Sequence, residues 1–132
     1  MGASVKLVEE NSLRASDSGF EFKIRLNWYR SLPLSCIVNL TVQLDGQAVD
    51  PKQIRLFVNE CEHNLDELAD IVNEYWFVQD SATVRVELPG RVRAGEEHTI
   101  NVEIILRAPY IKIGPDRFLT MSSRYSSIQT AV

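Results

Sequence analysis

The segment FEFKIRL, at residues 20–26, alternates apolar and charged side chains along its whole length. In an extended chain the apolar side chains, at positions 20, 22, 24 and 26, share one face, and the charged ones between them share the other. This two-residue period is typical of a strand with one face buried and one face in water. The segment therefore predicts a half-buried β-strand.

The same period recurs at residues 38–44, 54–58, 84–88 and 100–106. Buried strands of a parallel α/β sheet are continuous apolar runs, so this alternation favours antiparallel pairing. Tight turns are predicted at Asp45-Gly46 and Pro89-Gly90. With an edge strand in KLVEE and another strand starting at Tyr75, the count reaches about seven. We therefore predict an all-β, antiparallel two-sheet β-sandwich of immunoglobulin-like or jelly-roll type.

One segment departs from this period. In residues 64–76 the apolar side chains fall at i, i+3, i+4 and i+7, which predicts one short helix near residues 65–73. Asn64 is the expected N-cap and Glu67 its capping-box partner. We assign residues 1–113 to the β-sandwich domain. Residues 114–132, whose apolar side chains follow no clear period, are predicted to be a C-terminal tail packed on a partner or on the sandwich.

Length and composition define the class of protein. The chain has 132 residues, 45% of them apolar and 24% charged, which is the balance of one soluble globular domain. A net charge of -4 without a basic run argues against binding nucleic acid. The sequence has neither a secretory h-region nor a membrane-spanning apolar stretch, which predicts a cytoplasmic protein. Cys36 and Cys61 are expected to be buried free thiols.

Catalytic groups do not converge in the sequence. His63 and His98 are interpreted as surface histidines without an orienting partner. Glu96 and Glu97 are adjacent, so in a strand they point to opposite faces. No glycine-rich phosphate loop and no cluster with metal-ligand spacing occurs. We therefore expect this chain to have no catalytic residue, metal site or cofactor of its own.

The stretch NWYRSLPLSCI, at residues 27–37, is richer in aromatic, arginine and proline residues than a strand end requires. One interpretation is that its aromatic residues close the end of the sandwich. The other is a surface for a partner, because Trp, Tyr and Arg are enriched at interface hot spots and Pro33 stiffens the loop. We favour the second and predict a partner contact or active-site mouth made of Trp28, Tyr29, Arg30, Ser31, Leu32, Pro33, Leu34, Tyr110, Arg117, Phe118 and Tyr125.

At these residues the sequence resembles the small (beta) subunit of bacterial C-glycoside deglycosidases. The matching pattern consists of Arg25, Leu26, Tyr29, Arg30, Pro33, Leu34, Ser35, Asp45 and Gly46. The LDEL helix, the Trp76 strand, the PGRVRAGEEH turn and the LRAPY segment also look like this family. The resemblance covers residues 20 to 112.

The resemblance implies a β-sandwich subunit bound to a catalytic alpha subunit with a TIM-barrel fold. That large subunit is expected to carry a divalent metal, manganese. The implied reaction cleaves the carbon–carbon bond between a 3-keto sugar and an aromatic aglycone of flavonoid type. The small subunit would stabilise the large one and order the loops around its active site.

Two other functions remain open from the residues alone. The first is a stand-alone carbohydrate-binding module that stacks sugar rings on Trp28 or Trp76. The second is a structural β-sandwich that associates only with copies of itself. Glycan binding or self-association of the isolated chain would distinguish these two from a subunit of an enzyme.

Overall fold

The computed structural model of the chain describes residues 7–25, 31–77, 80–115 and 117–132, without the side chains of residues 109 and 110. Within these ranges the strands are β1 (Arg14–Ser16), β2 (Gly19–Arg25), β3 (Leu32–Pro33), β4 (Ile37–Leu44), β5 (Gln47–Ala48), β6 (Ile54–Val58), β7 (Cys61–Asn64), β8 (Tyr75–Trp76), β9 (Ser81–Val86), β10 (Glu97–Gly114) and β11 (Arg117–Thr130). Short 3-10 helices span Leu34–Cys36, Pro51–Gln53 and Leu65–Asp70. No helix in these ranges has the length and apolar character needed to cross a bilayer.

Two antiparallel sheets form the body of the domain. One has the order β1-β2-β9-β6-β7 and the other β11-β10-β4-β5, while β3 and β8 make a separate two-stranded ribbon. The inward side chains of both large sheets belong to one hydrophobic core. Phe22, Val84, Val42 and Ile104, one from each of four central strands, are at most 1% exposed. The predicted all-β fold of two antiparallel sheets is confirmed.

The first residues of β4 correct the predicted alternation. Val38 was predicted to share the inner face, but it is 52% exposed, and Ile37 is buried in its place. Along β10, Ile105 pairs with Asn39 and Leu106 pairs with Ile37, so Val38 has no opposite residue. A β-bulge of this kind shifts the side chains on one side of it by one position.

Tight turns set the register of the hairpins. Asp45 and Gly46 both have positive φ, at 52° and 84°, and join β4 to β5 as predicted. The predicted Pro89-Gly90 turn is also present, with Gly90 at φ 76° and a hydrogen bond from Arg91 N to Leu88 O. A further turn, at Asn59-Glu60, joins β6 to β7 with both residues at positive φ. The sequence did not reveal it, because glutamate is uncommon in this conformation.

The predicted helix is shorter than expected and of the 3-10 type. It spans Leu65–Asp70, and the Asn64 N–H donates to Glu67 Oε1 at 3.1 Å, as the capping box requires. The chain leaves the helix because the next residues pair with Leu34 and Ser35: Ser35 N donates to Ile71 O, and Leu34 N donates to Glu74 O. Val72, which the i, i+7 spacing from Leu65 places on the inner face of the predicted helix, is 59% exposed, so that part of the prediction is wrong.

The segment predicted as a tail is a strand of the second sheet. β11 pairs with β10 from Glu97↔Thr130 to Gly114↔Arg117. From position 119 to 130 its side chains alternate between partly buried or buried and exposed, a period that serine and threonine residues hid in the sequence. Beyond β11, Ala131 N donates to Glu96 O and Val132 N donates to Leu13 O. The end of the chain therefore contacts both large sheets.

The side-chain amide of Gln129 joins the two ends of the chain. Its Oε1 accepts from Ser12 N at 3.0 Å and Leu13 N at 2.9 Å, and its Nε2 donates to Glu9 O at 2.8 Å. The side chain is 6% exposed, so these backbone groups have little access to water. Just before this junction lie the buried residues Leu7 and Val8, of which Val8 makes only a single bridge to β2 where an edge strand was predicted.

We expect Gln129→Ala to lower the free energy of unfolding by about 2–4 kcal/mol, since it leaves the backbone N–H groups of Ser12 and Leu13 unpaired near the core. Glu9 O loses one of its two donors and keeps the other, Ser12 Oγ. Urea denaturation measures this change. Thr130→Ala is the matched control, because Thr130 is exposed on the same strand. Equal stability of the two variants would contradict the structural role assigned to the amide.

Candidate subunit interface

The stretch that was predicted to bind a partner enters the β3–β8 ribbon. Trp28, Tyr29 and Arg30 lie outside the described residues. After them, Leu32 pairs with Trp76 and Pro33 pairs with Tyr75. Leu32 and Leu34 are 2% and 0% exposed and belong to the chain's own core, which differs from the surface position expected of them. Ser31 and Pro33 are half-buried.

The ribbon holds a buried tryptophan between two exposed aromatic rings. Trp76 is 1% exposed, and its Nε1 donates to Asp80 O at 2.9 Å. Side chains alternate along an extended segment, so Tyr75 and Phe77 point outward, with 43% and 52% of their surface exposed. Trp76 is therefore not a surface platform on which a sugar ring could stack.

Tyr75 and Phe77 are the centre of an exposed apolar surface. Their ring centroids are 6.5 Å apart with the planes inclined by 27°. Val72, 59% exposed, precedes them on the same segment, and Pro33 lies opposite Tyr75. We call Pro33, Val72, Tyr75 and Phe77 the ribbon surface. The predicted partner contact did not include Val72, Tyr75 or Phe77, although three consecutive aromatic residues at positions 75–77 were a usable signal.

The other predicted contact residues lie on strands β10 and β11. β4 pairs with β10 only as far as Leu106. Beyond it, residues 107–114 pair, among the described residues, only with residues 117–120, which include Arg117 and Phe118. Arg107 Nη2 donates to Ser35 O at 3.3 Å, which links the base of this β10–β11 hairpin to the segment that follows β3. Tyr125 lies further back, opposite Val102, where it packs against the core. The side chain of Tyr110 is not described.

His98 lies at the other end of β10 and has partners that the sequence analysis did not foresee. Its Nδ1 is 2.6 Å from Asp45 Oδ2 and its Nε2 is 3.2 Å from Glu96 Oε1, and its side chain is only 11% exposed. The hydrogen bond to Asp45 is the main reason why the pKa of His98 is raised. The pKa of Asp45 is lowered, first by the hydrogen bond from Thr99 N and then by His98. We call these three side chains the His98 clasp.

His63 also has a partner that the sequence analysis did not foresee. Its Nε2 lies 3.0 Å from Glu74 Oε2. The interpretation of both histidines as unpartnered surface residues is therefore wrong.

The two cysteine thiols differ in burial. Cys36 is buried, and burial raises the pKa of its thiol, while Cys61 is exposed, contrary to the prediction.

A depression of about 530 Å³ lies on the outer face of β4, β10 and β11, where Arg124 forms an ion pair with Glu103. Thr41, Gln43, Asn101, Val102, Tyr125 and Ser126 complete its lining. In the part of the chain that the structure describes, no group of three or more His, Cys, Asp or Glu side chains could hold a metal ion.

These features define the class of protein: an antiparallel β-sandwich that, among its described residues, exposes the two neighbouring aromatic rings of Tyr75 and Phe77. Its sequence matches the family model described as "C-glycoside deglycosidase beta subunit" over residues 4–110. The chain belongs to this family.

Curated relatives agree with the family assignment. The chain is similar to a protein of Microbacterium sp. named "3'-dehydrocarminate deglycosidase beta subunit", with 43% identity over 82% of this chain and 80% of the relative. It is 32% identical to a C-glycoside deglycosidase beta subunit of Microbacterium trichothecenolyticum over 96% of this chain and 95% of that protein. A beta subunit from Arthrobacter globiformis is 33% identical over 80% of each chain.

The His98 clasp predicts a pH dependence of stability. Folding raises the pKa of His98, so protonated His98 adds to the free energy of unfolding. This stabilisation is complete below about pH 6.5, the pKa of histidine in the unfolded chain, and it is lost as pH rises through the pKa in the folded state. We expect the NMR titration midpoint of His98 to lie above 6.5, and to fall in Asp45→Asn, which keeps the turn and removes the charge. Asp17→Asn, in another exposed turn, is the control. A midpoint that Asp45→Asn does not lower would contradict the clasp.

Proposed function

We propose that this chain is the small, non-catalytic subunit of a heteromeric C-glycoside deglycosidase. Its large partner would be a TIM-barrel subunit that cleaves the carbon–carbon bond between sugar and aglycone in 3-keto C-glycosides of flavonoid type. Membership of the beta subunit family, with 43% identity to a curated beta subunit, is the observation that carries this proposal. The name of that relative specifies a substrate oxidised at the 3′ position, which agrees with the 3-keto sugar that the chemistry requires.

The proposed chemistry depends on the ketone at C3 of the sugar. The ketone acidifies the proton at C2, which a base of the large subunit removes. The electron pair left at C2 then forms the C1–C2 double bond while the bond from C1 to the aglycone breaks. The aglycone carbon retains the electron pair of that bond and takes up a proton. A divalent cation held by the large subunit, expected to be manganese, supplies charge stabilisation during this sequence.

The small subunit contributes to this reaction through contact and not through chemistry of its own. In our proposal the sequence stretch at residues 28–34 and the β10–β11 hairpin cover the mouth of the barrel and order its loops. Closure of this kind excludes water, which would otherwise protonate a carbanionic species before the aglycone is released. A rigid sandwich is a suitable support, because little entropy is lost when a preorganised surface binds.

Co-expression with the large subunit and an assay on a 3-keto C-glucoside test this function. We expect the complex to release the aglycone and neither subunit alone to do so. Tyr29→Ala combined with Arg30→Ala should lower co-purification or turnover by about 30-fold, the effect of losing a hot spot. The control, Arg14→Ala, removes an exposed arginine on β1. Unchanged assembly together with unchanged turnover in the double variant would rule out a role for Tyr29 and Arg30.

A further inference from the structure

We infer that the ribbon surface, with its surrounding carboxylates, is the docking site for the large subunit, which it contacts through an apolar depression with a basic rim. This inference rests on the proposed function, because it takes the large subunit as the partner. It adds Val72, Tyr75 and Phe77, which lie outside the stretch at residues 28–34, to the residues proposed to contact the large subunit. These three side chains are exposed although they are large and apolar.

The two aromatic rings are held in place by the core behind them. Trp76 lies between them in sequence, is buried, and donates a hydrogen bond to Asp80 O. Asn59 Nδ2 donates to Tyr75 O at 2.7 Å, and Asp80 N donates to Phe77 O at 2.9 Å. The backbone on both sides of Trp76 is thus fixed before any partner arrives. Preorganised aromatic side chains lose little conformational freedom on binding and are enriched among hot spots.

The segment that carries these rings is strongly acidic. Residues 56–84 contain seven Asp or Glu residues and no Lys or Arg, while the whole chain has a net charge of -4. The rest of the chain therefore carries a net charge of +3. Two of the acids are paired, Glu62 with Arg85 and Glu74 with His63. In the described part of the chain, no Lys or Arg forms an ion pair with Glu60, Asp70 or Asp80.

The unpaired carboxylates lie close to the apolar surface along the chain. Glu60 follows Asn59, which contacts the Tyr75 carbonyl, and Asp80 closes the turn that begins at Phe77. Asp70 is exposed, two residues before Val72. An apolar centre with a charged rim is the usual anatomy of a specific protein interface.

The negative charge around the ribbon surface determines the kind of partner that fits it. A second copy of this chain would bring the same carboxylates together, and repulsion between like charges at an interface is unfavourable. An anionic membrane would be repelled for the same reason. A partner with Lys or Arg around an apolar depression satisfies both the aromatic centre and the acidic rim. The large subunit is the partner that the proposed function supplies.

Binding of purified large subunit tests the apolar centre. We expect Tyr75→Ser combined with Phe77→Ser to raise the Kd by about 30-fold or more, since both rings lose their contacts. Ile128→Ser is the control, because Ile128 is 67% exposed on β11, away from the ribbon. Circular dichroism and urea denaturation of the free variants establish that each is folded.

Charge reversal tests the acidic rim. Asp70→Lys with Asp80→Lys changes the net charge by the same amount as Asp17→Lys with Glu97→Lys, which alters exposed acids elsewhere. The first pair should slow association with the large subunit at least about 10-fold more than the second at low ionic strength. The difference should shrink at about 0.5 M salt, where the Debye length falls to a few ångström.

The outcomes separate this inference from the proposed function. If the wild-type chain and the large subunit do not associate, or the complex releases no aglycone, the proposed function fails. If the two subunits associate and the complex releases aglycone, but the Tyr75→Ser, Phe77→Ser variant binds the large subunit with the same Kd as Ile128→Ser, the docking site is wrong and the proposed function stands. Sedimentation of the wild-type chain as a dimer that this double variant abolishes would assign the surface to a second copy instead.

Discussion

The side chain of Gln129 makes the interaction on which the closure of this sandwich depends. It pairs backbone groups of residues 9, 12 and 13 with the last strand, across 116 to 120 positions of sequence. A buried amide that satisfies three buried or half-buried backbone groups is costly to remove, because no water replaces it. The pairing of Val132 with Leu13 extends the same junction. Strand β11 therefore belongs to the second sheet and is also hydrogen-bonded to the segment that leads into β1 of the first sheet. It covers the side of the core at which these two segments meet.

The two ends of β10 have different surroundings in this sandwich. His98 and Leu106 are eight residues apart on this strand, which corresponds to about 26 Å at 3.3 Å per residue. The His98 clasp stabilises one end. At the other end the pairing with β4 stops, and the β10–β11 hairpin and the β3–β8 ribbon begin. The exposed aromatic residues Tyr75 and Phe77 thus lie beside Trp76, which the core of the sandwich holds.

Much of this architecture could be predicted from the sequence, and the errors have identifiable causes. Strands β2, β6 and the paired part of β10 follow the two-residue period closely, so their faces were predicted correctly. Val38 was misplaced because a bulge depends on the neighbouring strand, which the local sequence does not contain. β11 was predicted as a tail because its partly buried face includes serine as well as apolar residues. The predicted partner contact included Leu32 and Leu34, which the core buries, and its other residues stay a prediction.

The sequence by itself determined the class of fold, the tight turns at Asp45-Gly46 and Pro89-Gly90, and the family, since period, turn residues and motifs are local properties of the chain. Only the tertiary structure decided which side chains meet. Asp45 and His98 are 53 positions apart, and Gln129 and Leu13 are 116 apart. Tyr75 and Phe77 became a surface because Trp76 fills the core and turns them outward. Backbone geometry sets the alternation of a strand, but the packing of distant strands decides which of its two faces remains exposed.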